Sequence, residues 1–562
     1  MKKQILTALF STLILTSCGT LDLNPLSDGS SETWNSNDVE IEMSLNGLYK
    51  DAFWMLDQDD WSDDWLYRDA TTEITGATIN GQTGFVKTWW TNSYKAIARA
   101  NIIIESVGRA NEVLTQEQIN RYIAEARFVR ACQYSRLVSH FGNVVYLDKQ
   151  VDIEEALKTP QTEKSIVLTK IYEDFDFAAS ALKKTYSSSE LKRATAGAAY
   201  AMKARIALQM GNWAVARDAA KACMDLNIYK LHADFSELFL TKTKNSTETI
   251  YGLPRSLTLK VTLGDRQNYV TRNAGGWGAK NPSWDLLAAF LCTDGLPIDE
   301  SPLFDPHDPF KNRDPRCNAT IVPFQSPHLG YIYQPHPDSV QVKRLSDNKL
   351  VQNNDTRFIA QYASYNALIW KKGVDSDWTQ NAWQIEADKI IIRYADVLLM
   401  YAEAKIELGE IDASVHNAIN MVRARAYKTA VTSVGNYPAV TTTYQSELRK
   451  IVRIERRMEL ANESIRYMDL IRWKLAEKAL NKPNFGMLDP AELKAKVVSK
   501  GLWFFPETPE IDEDGMADFT KMYDKGLIKQ ITIRKFDASR QYLWPIPTSE
   551  ILTSGLVQNP NY

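Results

Sequence analysis

The sequence IERRMELANESIRYMDLIRW, residues 454–473, combines an apolar stripe with a dense set of charged side chains. Counted from Ile451, apolar residues recur at spacings of 3, 4, 3, 4 and 3, as on one helix or on two helices that meet near Asn462. From Arg453 to Arg472 there are five Arg, four carboxylates and no Lys. Arg without Lys indicates bidentate pairing in partly desolvated sites, because the planar guanidinium matches a carboxylate.

Two ion pairs are predicted within this stretch. Glu463 and Arg466 lie three residues apart, as do Asp469 and Arg472, so each pair can meet on one helix face. Because the stretch has an apolar stripe and no loop aromatics beside it, we interpret it as architecture. We expect it to hold the last helical repeats against the C-terminal tail, with its ion pairs inside the fold and without ligand contact.

The overall composition is that of a large globular protein. The 562 residues exceed one ordinary core, so we expect two or more packed regions. The net charge is −3 and no block of Lys or Arg is present, which argues against nucleic acid as a partner. The 15 Trp and 25 Tyr are many, as in carbohydrate-binding proteins, although large helical cores also use aromatic residues.

The N-terminus carries a targeting pattern. Two lysines precede apolar residues 5–15, a run that is too short to span a bilayer. The sequence LTSC then ends at Cys18, which is the bacterial lipobox pattern. It predicts a signal peptide at 1–17, a lipid on the Cys18 thiol and a tether at 18–35. The alternative is a plain secretory leader with an incidental cysteine.

The other four cysteines have no CxxC spacing, so a metal site is not expected. Cys132 and Cys223 lie in helical patterns and are interpreted as small buried groups. A bridge between Cys292 and Cys317 is left open.

Helical periodicity dominates both ends of the chain. Predicted helices cover 36–50, 87–110, 115–141, 163–184, 194–210, 396–408 and 413–426. Gly211, Trp213 and Ala216 have the spacing of a tetratricopeptide-type turn, with an imperfect echo after Gly409. We therefore predict a mainly α fold in which stacked tetratricopeptide-like repeats support a loop-rich region with short strands and helices.

This reading divides the chain into regions. The N-terminal repeat region is 36–240 with a ligand-loop insertion at 51–84, the loop-rich variable region is 241–390, and a C-terminal repeat with a closing tail is 391–562. Residues 481–530 are irregular in the same way as the variable region.

Short motifs then follow one another in order. They are the lipobox at Cys18, LDLNP at 21–25, EARFVRA at 125–131, RYADVLLMYAEA at 393–404, NMVRAR at 420–425, the stretch 454–473, WPIP at 544–547 and QNP at 558–560. This ordered set resembles the SusD/RagB family, outer-membrane nutrient-binding lipoproteins of Bacteroidetes. The resemblance implies a lipid-anchored protein at the cell surface that acts as the lid of a SusC-like TonB-dependent transporter. It also implies capture of a glycan, or in some members a peptide, for import.

The segment 54–69, WMLDQDDWSDDWLYRD, mixes aromatic and polar side chains in a loop. An aromatic ring can stack on the C–H face of a sugar, and Asp, Asn or Arg can hydrogen-bond its hydroxyls. The candidate ligand-binding residues are Trp54, Trp61, Asp64, Trp65 and Arg68 from this loop, Trp89 and Asn92 from the next helix, and Trp277 from the turn GGWG.

Two other interpretations of this loop stay open. Its tryptophans can be core anchors with solvated aspartates around them. Clustered carboxylates can also bind calcium, although the EF-hand spacing fails at Trp61.

Catalytic motifs are absent from the sequence. It has no nucleophile elbow, HExxH motif or phosphate loop, and its six His show no metal-ligand spacing. We expect a glycan-binding protein that is not an enzyme and that uses no cofactor or metal. A peptide-binding member of the same family and a repeat scaffold without a small ligand are the alternatives.

Overall fold

The computed structural model of the chain describes residues 33–187, 192–264 and 266–562. The predicted signal peptide, Cys18 and most of the predicted tether lie outside the described residues. Elements are numbered in order through the described part.

The helices are α1 (Asp38–Asn46), α2 (Gly84–Ser106), α3 (Gln116–Phe141), α4 (Ile153–Lys158), α5 (Lys164–Ala181), α6 (Ala196–Gln209), α7 (Trp213–Asp225), α8 (Trp284–Ala289), α9 (Pro315–Thr320), α10 (Tyr394–Leu408), α11 (Ala413–Ala426), α12 (Gln445–Leu460), α13 (Arg466–Arg472), α14 (Ala476–Leu480), α15 (Pro490–Lys496), α16 (Thr520–Asp524) and α17 (Thr548–Ser554). The strands are β1 (Trp65–Tyr67), β2 (Val144–Val145), β3 (Gln161–Thr162), β4 (Thr249–Leu253), β5 (Lys280–Pro282), β6 (Ser326–His328), β7 (Tyr331–Tyr333), β8 (Gln341–Lys343), β9 (Leu350–Gln352), β10 (Lys389–Arg393), β11 (Pro483–Gly486), β12 (Glu510–Ile511), β13 (Ala517–Asp518) and β14 (Lys529–Ile533).

The predicted mainly α fold is confirmed, and each predicted helix has a counterpart. The capping box before α3 is present, because Thr115 accepts the Gln118 main-chain N–H while the Gln118 side chain accepts the Thr115 N–H. The long helices pack in succession, with α3 against α2 and α5, α6 against α7, and α10 against α7, α11 and α12. The turn at Gly211 joins α6 to α7 as the repeat pattern predicts.

The stretch 454–473 forms two helices, α12 and α13, rather than one. The first helix ends at Leu460, because the next residue, Ala461, has a ψ of 136°, and Asn462 and Ser464, with φ angles of 61° and 64°, then redirect the chain. The sequence left this choice open.

The strands form short antiparallel pairs. One of them, β1 with β5, sets Tyr67 opposite Lys280 and so joins the loop at 51–84 to the variable region. In the described residues the other pairs are likewise two-stranded.

Two hydrophobic cores meet at α12. Leu448 and Val452 pack in the core of the helical repeats. Met458 of α12 and the following Ala461 pack in a second core, which is built mainly from residues of the variable region and of 485–528 and includes Trp65. Helix α12 therefore lies between the two cores.

Glu459 of α12 is the centre of a buried ion-pair network. Its carboxylate accepts from Arg393 at 2.7 Å, from Arg316 at 3.1 Å and from Arg425. Although burial opposes ionisation, these three guanidinium groups hold the pKa of Glu459 well below its usual range. The network joins α12 to β10, α9 and α11.

The prediction that Glu463 pairs with Arg466 is wrong. Glu463 accepts from Arg393 at 2.6 Å and from Lys372 at 2.5 Å, whereas Arg466 pairs with Asp63 at 2.8 Å. The turn between α12 and α13 separates the two side chains, so the i,i+3 geometry of a continuous helix does not apply.

The other predicted pair and the contact with the tail are present. Arg472 lies 2.8 Å from Asp469, and both are buried. Tyr467 of α13 accepts a hydrogen bond of 3.0 Å from the indole N–H of Trp544 in the closing tail.

Cys292 and Cys317 are buried free thiols. None of the helices in the described part of the chain is both long enough and apolar enough to cross a membrane.

Candidate functional site

The four tryptophans predicted from 54–69 and from α2 are in the interior. Trp54, Trp61, Trp65 and Trp89 each expose 4% or less of their surface. Trp61 lies 5.3 Å from the ring of Trp544 and 5.9 Å from that of Trp89, so the two tryptophans pack around the closing tail. The structure therefore corrects these predictions: the four rings are buried in the interior and are not presented at the surface to a sugar.

The two remaining tryptophans of the loop anchor different cores. Trp54 donates its indole N–H to the Leu48 carbonyl at 3.0 Å, and its ring lies 5.0 Å from Tyr251. Trp65 packs at 5.1 Å from Trp370 in the second core.

Asp64 forms an ion pair with an arginine of helix α12. Arg457 of α12 lies 2.7 Å from Asp64 and 3.0 Å from Asp63, and Arg466 of α13 also pairs with Asp63. Burial opposes ionisation of Asp63, but the two guanidinium groups lower its pKa, whereas burial raises the pKa of Asp64. Asp64 therefore fixes the loop to the scaffold, and the prediction that it binds ligand is not supported by its position.

Arg68 and Trp277, which are far apart in the sequence, lie together at the surface. The Arg68 guanidinium donates to the Trp277 carbonyl at 3.4 Å and lies 5.2 Å from the ring centre of Tyr362. Trp277 and Tyr362 are 47% and 48% exposed, and Tyr67, next to Arg68, is 40% exposed. We call Tyr67, Arg68, Trp277 and Tyr362 the aromatic platform.

Trp277 is presented by a fixed turn. The main-chain N–H groups of Gly276, Trp277 and Gly278 donate to carbonyls of 267–271 at 2.8–2.9 Å. Gly275 has a φ of +90°, and a Cβ at Gly276 would lie 2.2 Å from the Val270 carbonyl oxygen. The turn therefore requires glycine, and its hydrogen bonds fix the backbone that carries the exposed indole.

Arg68 itself is in a left-handed backbone conformation, with φ +42°. A residue with a Cβ adopts this conformation at a cost of about 1–3 kcal/mol, and such residues cluster at functional sites. The conformation is held because the Arg68 N–H donates to the Ala279 carbonyl at 3.2 Å, which extends the pairing of β1 with β5.

Tyr67 and Tyr362 are platform residues that the sequence analysis missed. Tyr67 lies two positions after Trp65 in β1, so strand alternation places it on the same face as that buried ring and gave no signal for its exposure. Tyr362 has no local signal, because only the packing of its segment brings it to Arg68.

The remaining candidate, Asn92, is half-buried on α2. No hydrogen bond joins it to Arg68 or Trp277 in the described structure. Among residues 33–187, 192–264 and 266–562, no group of three or more His, Cys, Asp or Glu is placed to hold a metal ion.

A cavity of about 340 Å³ is lined by Asp59, Asp60, Trp65, Tyr269 and Lys280 among others. The Lys280 ammonium lies 3.7 Å from Asp60 and 5.8 Å from the ring centre of Tyr67, so it connects the cavity with the platform. Burial raises the pKa of Asp59 to about 7.

Comparison with known proteins places the chain in a family. A family model described as "SusD family" matches residues 255–562, and one described as "Starch-binding associating with outer membrane" matches residues 31–208. The first match covers more than half of the chain. The chain belongs to the SusD family. The resemblance drawn from its motifs is confirmed.

Relatives of this SusD-family chain match over 93–100% of its length. "SusD-like protein P2" of Formosa agariphila is 26% identical over 100% of both chains. The crystal structure of a SusD-like carbohydrate-binding protein from Bacteroides fragilis has a TM-score of 0.74 and 27% identity, covering 93% of this chain and 99% of that one. A laminarin-binding SusD-like protein has a TM-score of 0.62 at 21% identity, covering 94% and 100%, and this likeness shows a shared SusD fold.

Proposed function

We propose that this SusD-family protein binds a nutrient glycan at the aromatic platform and delivers it to a TonB-dependent transporter, without catalysis. The observation that carries the proposal is that Arg68 contacts both the Trp277 carbonyl and the Tyr362 ring, while Trp277, Tyr362 and Tyr67, the residue before Arg68, all have exposed side chains. The relative from Bacteroides fragilis, which is described as carbohydrate-binding, supports it.

The energetics of the platform favour a binding role. Burying a large aromatic side chain stabilises a protein by about 1.5–3 kcal/mol, so three exposed rings forgo much of this gain. Clustered exposed apolar groups rimmed by polar residues mark interaction sites. A sugar could cover an exposed ring of the platform with its C–H face while its hydroxyl groups accept hydrogen bonds from the Arg68 guanidinium.

The lid role and the anchor belong to the same proposal. A lipid on Cys18 would hold the protein at the outer membrane, facing outward, where a SusC-like transporter can receive the ligand. The family description that associates such proteins with the outer membrane supports this. Replacing Cys18 by Ser is expected to move the protein from the membrane fraction to the soluble fraction, and unchanged fractionation would contradict a lipid anchor.

Affinity electrophoresis of the purified protein against a panel of polysaccharides tests glycan binding. We expect retarded migration with at least one glycan, and unchanged glycan chain length after prolonged incubation. Shortened products would identify an enzyme. Failure to bind any glycan, combined with binding of peptides in calorimetry, would replace the glycan proposal by a peptide-binding one.

A further inference from the structure

Two arginines of the platform region meet at one carbonyl oxygen. Arg68 donates to the Trp277 carbonyl at 3.4 Å, and Arg272 donates to the same oxygen at 3.5 Å. Both hydrogen bonds are long, so this oxygen satisfies only a small part of the donor capacity of the two guanidinium groups. Both side chains are half-buried.

Neither arginine has a carboxylate partner within the part of the chain that the structure describes. The contrast with the interior is clear, since Arg457 and Arg466 are each paired with carboxylates at 2.7–3.0 Å. Two half-buried cations that share one neutral acceptor repel each other unless an anion lies near them.

Nearby carboxylates do not provide that compensation. Asp69 is exposed and makes no ion pair with Arg68 in the described structure. Asp355 accepts the main-chain N–H of Arg272 at 2.6 Å, and burial raises its pKa to about 7, so at neutral pH it is only partly ionised. Asp60 faces Lys280, which adds a further positive group beside Tyr67.

We infer that the glycan bound at the platform is anionic, with its negative group held by Arg68 and Arg272 while its ring stacks on Trp277 or Tyr362. This inference rests on the proposed function. The shared chemistry is an oxyanion on a sugar, either the carboxylate of a uronic acid or a sulfate ester. Both match the planar donor fork of arginine, which binds such groups with two parallel hydrogen bonds.

The test compares glycans that differ only in charge. Polygalacturonate is set against its methyl ester, and carrageenan against its desulfated form, in affinity electrophoresis and calorimetry. We expect one anionic member to bind at least tenfold more tightly than its neutral partner, with an affinity that falls as salt is raised. A difference between polygalacturonate and its methyl ester would identify a uronate ligand, and a difference between carrageenan and its desulfated form would identify a sulfate ester.

Variants separate this inference from the proposed function. Arg272→Gln is expected to lower the affinity for the anionic glycan at least tenfold, and Arg68→Gln to do the same. Arg217→Gln, on α7 and paired with Asp218 and Glu410, is the matched control and is expected to change nothing. Equal unfolding midpoints would show that the variants remain folded.

Two results would overturn the inference. In the first, a neutral glycan binds as tightly as its charged partner, and its affinity falls in Trp277→Ala but is unchanged in Arg272→Gln. The proposed glycan-binding function would then stand, and the inference that the ligand is anionic would be wrong. If no glycan shows binding that depends on Trp277, both fail.

Discussion

Replacing Glu459 by Gln should destabilise the whole protein, because Glu459 joins the two cores through buried charges. Its side chain is fully buried and accepts from Arg316, Arg393 and Arg425. Gln preserves the volume and one acceptor oxygen but removes the charge. The perturbation is therefore electrostatic and leaves the apolar packing of α12 intact.

The magnitude follows from what the three arginines retain. Removing one partner from a buried ion pair costs about 3–5 kcal/mol. Here Arg316 keeps Asp314 and Glu455, while Arg393 and Arg425 keep Glu248. Because no guanidinium is left without a carboxylate, we expect a loss at the lower end, about 3 kcal/mol.

Urea unfolding at neutral pH, followed by fluorescence and circular dichroism, measures this loss. Glu513→Gln is the matched control, since Glu513 is exposed and lies 3.7 Å from Lys450. Exposed pairs contribute about 0–1 kcal/mol, so the control should be almost unchanged. A loss below about 1 kcal/mol in Glu459→Gln would refute the view that this network holds the halves together.

Three further predictions concern the platform and buried carboxyl groups. Gly276→Ala should cost about 1–3 kcal/mol of stability and weaken glycan binding, because the new Cβ would lie 2.2 Å from the Val270 carbonyl oxygen. Gly47→Ala is the control in both assays, since nothing lies within 4 Å of a Cβ at Gly47, and equal behaviour of the two variants would contradict the steric argument. Burial raises the pKa of Asp355 from 3.8 to about 7, so the contribution of this carboxyl group to stability is fully present below pH 3.8 and is lost as pH rises through 7. Relative to Asp355→Asn, the wild type should lose up to about 4 kcal/mol between pH 4 and 8, and parallel pH profiles of the two proteins would disprove this. Burial opposes ionisation of Asp396, but Arg205 and Arg456 lower its pKa from 3.8 to about 2, so the contribution of Asp396 to stability is present above pH 3.8 and is lost as pH falls through 2. On acidification the wild type should lose about 2 kcal/mol more stability than Asp396→Asn, and equal losses in the two proteins would count against the pairing.

The helices could be predicted from the sequence because their signals are local. Thr115 and Gln118 cap α3, and a periodic apolar face continues behind them. The ordered motifs then supplied the family, which the family match confirms. The partners in the buried ion pairs could not be predicted, because residues such as Arg457 and Asp63, which pair in the fold, are 394 positions apart in the sequence.

The candidate site was predicted only in part. A loop rich in Trp and Asp has the same local pattern whether its rings face solvent or the core. Trp61 is buried because Phe85 and Trp544 come to it from other parts of the chain. Trp277 was a better candidate, because flanking glycines indicate a tight turn that leaves its side chain outside, as the structure shows.

The most direct test of the central proposal is the affinity of the Trp277→Ala and Tyr362→Ala variants for the glycan that the wild type binds. Each is compared with Tyr444→Ala, which removes an exposed ring away from the platform. By analogy with base–aromatic stacking, loss of a stacking ring should cost about 1–3 kcal/mol, which is roughly a 5- to 150-fold rise in Kd. Glycan affinity that is unchanged in both platform variants would contradict the account.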